Sequence, residues 1–226
     1  MLLLTIDSAT PRLVLGLVRD AEVLAQRCLD DARRHNEALV PTVLEMLEAT
    51  GFSFDDLQGV VVGCGPGPFT GLRVGMVSAM AFADALDIPV TGVSSHRAIA
   101  SQLPGSKVLV VTDARRREVY YTELVDGAVQ QGPEVCKPAD LPAMQVDTLS
   151  VPEHLEQAVL EQVRAGKVVH EYPSARGLAA VAEFDPPQPP EPLYLRRPDA
   201  KEPTVRISPA IPQDATQPPA GEQSQA

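Results

Sequence analysis

The run Thr5-Ile-Asp-Ser-Ala-Thr10 closes an apolar segment on one carboxylate and two hydroxyls. Asp7, Ser8 and Thr10 are hard oxygen donors, the kind that ligate Mg²⁺ or face phosphate oxygens, and they form the candidate cofactor-binding set. The turn they open, residues 7–12, contains no glycine. Its N–H groups therefore cannot come close to a pyrophosphate, and the Asp7 carboxylate has an alternative use in bonding its own turn. A second group is Gly63-Cys-Gly-Pro-Gly-Pro-Phe-Thr-Gly-Leu-Arg-Val-Gly75, where Gly65, Gly67, Thr70, Gly71 and Arg73 define a turn between a strand and a helix. Glycine supplies positive φ and proline presets φ near −65°, so this composition fixes a particular backbone path. Strand, Gly-rich turn and helix N-terminus together can receive an anion. The same residues equally suit a tight turn where backbones touch, and residue types leave both readings open. The segment matches neither Gly-x-Gly-x-x-Gly nor the P-loop.

Metal and covalent chemistry find little support. The histidines are His35, His96, His154 and His170, with no pair at i, i+4, so a helical His-x-x-x-His metal site is absent. His96 follows a strand end, where α/β proteins often place active residues. Cys28, Cys64 and Cys136 are far apart, which fits neither a disulfide framework nor a zinc site and points to a reducing, cytoplasmic setting. No Gly-x-Ser-x-Gly elbow and no Cys–His pairing suggests a nucleophile, so no catalytic residue is assigned.

The elements that must position these residues follow from periodicity. Residues 2–7, 13–18 and 22–28 read as three strands. Residues 36–49 carry apolar side chains at helical spacing, with Pro41 tolerated in the first turn and Gly51 closing it. A strand at 59–63, the Gly-rich turn, a helix at 72–86 and a strand at 89–93 complete a βββ-α-β-α-β order. That is an α/β sheet with an antiparallel edge, as in the ribonuclease-H-like fold. The second half echoes the first: residues 107–113 end in Val-Val-Thr-Asp as residues 2–7 end in Leu-Thr-Ile-Asp, and strands follow at 117–125 and 128–131. Only weak helices are expected after that, at 152–165 and 174–184. Two related βββ modules are therefore expected, 1–103 and a truncated 104–198, the plan of the actin, Hsp70 and sugar-kinase superfamily. Residues 185–226 hold 11 of the 22 prolines, so a Pro-rich, unstructured tail is expected at 199–226.

Net charge is −11 over 226 residues, which disfavours autonomous nucleic-acid binding. The run Arg115-Arg-Arg117 is too short to reverse that and is expected to sit solvated on a turn. The chain opens directly into a strand without a basic leader, and no apolar run approaches 18 residues, so no membrane partner is expected. The 72–86 helix has only Arg73, Ser78 and Asp84 as polar residues. A helix apolar nearly all round is buried on two sides. One side covers the sheet, and the other needs the 36–49 helix or another subunit. Periodicity alone does not mark the outer face. The expected partner-facing row is Met76, Met80 and Ala83, with Val43 and Leu47 opposite.

Five segments carry a family resemblance. Gly65-Pro-Gly-Pro-Phe-Thr-Gly-Leu-Arg-Val-Gly75 resembles the Gly-Pro-Gly-Ser-Phe-Thr-Gly-Leu-Arg-Ile-Gly signature of the bacterial TsaB (YeaZ) family. Ile6–Thr10, His35–Pro41, Asp113–Tyr120 and Pro192–Arg196 fit in the same order, and Pro68 replaces the signature serine. The resemblance implies a glycoprotease-like relative of TsaD, the catalytic protein that makes threonylcarbamoyladenosine in tRNAs reading codons that begin with A. TsaD has a His-x-x-x-His where this chain has Ser94-Ser-His-Arg-Ala-Ile99, so the metal ligands are missing. The implied role is a non-catalytic scaffold subunit, a pseudoenzyme, that needs no cofactor of its own. It pairs with TsaD through the first module's helices, joins the ATPase TsaE, meets tRNA only through the complex and forms a homodimer when alone. The family leaves room for ATP at the subunit junction. The rival class is a free-standing small-molecule kinase or peptidase of the same superfamily. The glycine-free turn at Asp7 weighs against the kinase and the missing histidine pair against the metallopeptidase.

Overall fold

The computed structural model describes residues 1–30 and 35–196, the side chains of His35 and Asn36 excepted. The expectations for the tail at 199–226 and for the His35 side chain lie outside the described residues.

Ten strands form two five-stranded sheets of matching plan. In the first, β1 (Leu2–Asp7), β2 (Leu13–Arg19) and β3 (Glu22–Leu29) form the antiparallel edge, and β4 (Gly59–Gly63) and β5 (Val90–Val93) extend it in parallel, in the order β3-β2-β1-β4-β5. In the second, β6 (Lys107–Arg115), β7 (Glu118–Val125) and β8 (Ala128–Cys136) repeat the antiparallel edge. There β9 (Met144–Ser150) and β10 (Val163–Val169) are the parallel pair, in the order β10-β9-β6-β7-β8. Val60, Val61 and Val62 of β4 are fully buried, as a parallel strand covered on both faces must be.

The modules differ in their helices. The first has α1 (His35–Thr50) and α2 (Phe69–Leu86), both packed on the first sheet, then α3 (Ser95–Ala100). The second has a three-residue turn, Pro138–Asp140, where α1 would fall, and the five-residue α4 (Glu156–Leu160) where α2 would fall, before α5 (Ala175–Ala180). The expected weak helix at 152–165 shrinks to α4. Val163–Val169 becomes strand β10 because its valines pair with β9. The strand β9 was not anticipated, although Gln145, Asp147 and Val146, Thr148 alternate between outside and inside.

The two short helices join the modules reciprocally. α3 leaves the first module and packs on β6, with Ile99 and Ala100 against Val108, Val110 and Leu124. α5 leaves the second and packs on β1 and β2, where Leu178 meets Val61, Val93 and Ala98. The chain then runs back along the first sheet as a strap: Gly92 donates to the Gln188 carbonyl, and Leu193 to the Cys64 carbonyl. Tyr194 lies on the first module, its ring 4.9 Å from that of Phe69.

α2 is 18 residues long and apolar enough, by length and composition, to cross a membrane. One side of it, with Leu72, Met76, Ala79 and Ala83, belongs to the largest buried cluster.

Candidate functional site

The Gly-rich turn and the β1–β2 turn are pressed against each other. Gly65 has φ +97, a conformation glycine adopts without cost. A side chain at Gly67 would run into the Ala9 backbone, and one at Gly75 into the Ser8 hydroxyl. Ser8 Oγ donates to the Gly71 carbonyl at 2.7 Å and accepts from the Gly75 N–H at 2.9 Å. Thr10 Oγ1 donates to the Arg12 carbonyl and accepts from its N–H. Asp7 accepts from the Ala9 N–H at 3.0 Å and from Ser95 Oγ at 2.5 Å, while Ser95 Oγ accepts from the Gly65 N–H. All three candidate cofactor residues are buried and bonded within the chain. The close packing explains the glycines: they let two backbones touch, the second of the two readings the sequence allowed. Burial pushes the Asp7 carboxyl up to about 6, against the pull of its Ser95 and Ala9 bonds.

His96, on α3, is fully buried. Its Nδ1 lies 2.8 Å from Thr122 Oγ1 and its Nε2 2.8 Å from Thr112 Oγ1, so the imidazole spans from the first module to β6 and β7 of the second. Desolvation holds its pKa down at about 3, a neutral ring saturated by two hydroxyls. Sequence alone placed His96 after a strand but could not show which nitrogens were occupied. Among the described residues no three His, Cys, Asp or Glu side chains gather to hold a metal ion.

The outward face of α1 and α2 needs correction in its details. Val43, Leu47, Met76 and Ala83 point inward and are buried, and of the expected row only Met80 is exposed, at 40%. α2 has no polar face to mark solvent, so its period could not fix its rotation. The exposed large apolar residues are Phe69 at 48%, Val77 at 58% and Met80 on α2, and Val40 at 45% and Leu44 at 43% on α1. The face begins at the signature turn. There Thr70 is exposed, and Arg73 lies 4.0 Å over the Phe69 ring and donates to the Tyr194 hydroxyl.

In sequence and in fold the chain matches known proteins. The family model for TsaD, tRNA N6-adenosine threonylcarbamoyltransferase, matches residues 22–184. An uncharacterized protein of Mycobacterium tuberculosis is 49% identical over 202 residues, 88% of this chain and 93% of that one. The Escherichia coli tRNA threonylcarbamoyladenosine biosynthesis protein TsaB is 35% identical over 127 residues, 54% of each chain. The chain thus aligns with about half the length of this named relative. A solved Pseudomonas aeruginosa structure described as similar to peptidase YeaZ superposes with TM-score 0.72 at 23% identity, over 86% of this chain and 99% of that one, and shares its fold. The chain belongs to the family that the TsaD model describes, and TsaB (YeaZ) proteins are among its named relatives.

Proposed function

We propose that this protein is a non-catalytic scaffold subunit in the formation of threonylcarbamoyladenosine in tRNA, pairing with a TsaD-type catalytic subunit and working with a TsaE-type ATPase. One observation carries the reading. The candidate phosphate-facing residues Asp7, Ser8 and Thr10 are buried and bonded within the chain against the Gly-rich turn, while the helices beside them present Val40, Leu44, Val77 and Met80 to solvent. An apolar face of this kind, bordered by charges, suits a protein partner. The exposed row of α2 supports a helix-on-helix pairing, because Arg73, Val77, Met80 and Asp84 follow one another along it. An antiparallel partner helix of the same pattern would set cation against carboxylate at both ends and valine against methionine between. A related TsaD-type subunit or a second copy of this chain fits that geometry, with the homodimer as the form taken when the chain is alone.

Deleting the gene should strip threonylcarbamoyladenosine from the host's tRNAs, and the wild-type chain should restore it. A Val77→Glu chain should be present at wild-type level and fail to restore it. Normal modification in the deletion strain would end the proposal.

A further inference from the structure

Arg73 is the one cation of α2, and the fold holds it in place at the helix start. Its guanidinium lies 4.0 Å over the Phe69 ring, and its Nε donates to the Tyr194 hydroxyl at 3.2 Å. Phe69 is one helical turn before Arg73, but Tyr194 comes from the strap, 121 residues further on. The Tyr194 ring also packs against Phe69, with centroids 4.9 Å apart. The strap is fixed on both sides of the tyrosine: the Leu193 N–H donates to the Cys64 carbonyl at 2.9 Å, and Arg196 pairs with Glu118. Yet Phe69, Arg73 and Tyr194 are all exposed, so this order is not imposed by a buried core.

The chemistry of the arrangement narrows its use. An exposed arginine samples many rotamers and gives them up when it binds. Here one face of the guanidinium rests on a ring and Nε is taken, so that loss is met on folding. The Nη1–Nη2 end is the edge left to meet an anion, and such an edge forks onto a carboxylate. The partners of Arg73 among the described residues are a ring face and a phenol oxygen, neither of them an anion. Arg73 also heads the exposed row Arg73, Val77, Met80 and Asp84, at one end of the proposed partner face. We infer that Tyr194 is a positioning residue for partner recognition: from the strap it aims the Arg73 fork at a carboxylate on the docking helix of the TsaD-type subunit. The inference rests on the proposed pairing, and it extends recognition to a residue outside both helices.

The test is a double-mutant cycle with Tyr194→Phe, Arg73→Met and the two combined, each at an exposed side chain and each checked by circular dichroism. The full-length chains are titrated with the purified TsaD-type subunit at 50 and 200 mM KCl. Arg73→Met should weaken binding about 10- to 100-fold, because the facing carboxylate is left unpaired. It should also flatten the dependence on salt. Tyr194→Phe keeps the ring and removes the hydroxyl, and should weaken binding about 3- to 10-fold. In the Arg73→Met chain the same change should have no further effect, since Tyr194 acts through the arginine. Wild-type affinity in Tyr194→Phe would overturn the inference and leave the pairing intact. So would an equal loss in both backgrounds, which would make Tyr194 a direct contact. If the wild-type chain binds no TsaD-type subunit, the pairing fails by itself. The cycle is then read on self-association of the chain by sedimentation, where Asp84 of the second copy supplies the carboxylate, and absence of coupling there would overturn the inference too.

Discussion

The two modules share a strand order and differ in what covers it. The second sheet closes its main core with Leu141, Val159 and the side chains of its own strands, under a three-residue turn and a five-residue helix. The first sheet has the same five strands and carries helices of 16 and 18 residues. Those longer helices present Val40, Leu44, Phe69, Val77 and Met80 to solvent, whereas α4 leaves only Leu160 exposed among large apolar residues. Covering a sheet of this plan evidently does not require helices so long. Their excess length and their exposed apolar row are what set the first module apart, and the proposed pairing would give both a use.

The largest expected effect contrasts the inner sides of the two coverings. Leu72→Ala, fully buried at the start of α2, should cost about 2–5 kcal/mol. Leu160→Ala on α4 should stay within about 0.5 kcal/mol. Denaturant unfolding of both variants measures this, and equal losses would erase the distinction.

The next effect separates the modules' buried polar anchors by pH. Asp7 has its pKa raised from 3.8 to about 6. Its contribution to stability is complete below pH 3.8 and is lost as pH rises through 6. Asp7→Asn, which stays neutral, should therefore gain on the wild type between pH 4 and 8, by up to about 3 kcal/mol. A pH-independent difference would contradict the burial argument. His96 has the opposite sign. Its pKa falls from 6.5 to about 3, so its contribution is present above 6.5 and drains as pH drops. Relative to a His96→Gln chain, the wild type should lose about 2 kcal/mol between pH 7 and 5. A flat difference would mean that the ring between the modules opens to water.

Much of this was legible in the sequence, and the failures have physical reasons. The βββ repeat was visible because apolar runs ending in Thr-x-Asp or Val-Thr-Asp, followed by tight turns, leave a local trace. The signature turn was visible for the same reason, since Gly65 and Gly67 answer to local geometry. The rotation of α2 was not visible, because a helix apolar all round gives a periodicity argument nothing to hold. α3 is six residues long, too short to show a period, so the inter-module role of His96 depended on contacts with Thr112 and Thr122. Those contacts arise only on folding. The strap at residues 184–196 reads as a Pro-rich linker, and its bonds to Gly92 and Cys64 are long-range.

The proposed pairing seats a TsaD-type subunit on the outer face of α1 and α2. The direct measurement is titration of that purified subunit with the wild-type and Met80→Glu chains, alongside their circular dichroism spectra. Met80 is already exposed, so the glutamate should leave the spectrum unchanged. On association it would be buried without a partner, and affinity should fall by more than about 100-fold. A folded Met80→Glu chain that binds with wild-type affinity would place the interface elsewhere and contradict the account.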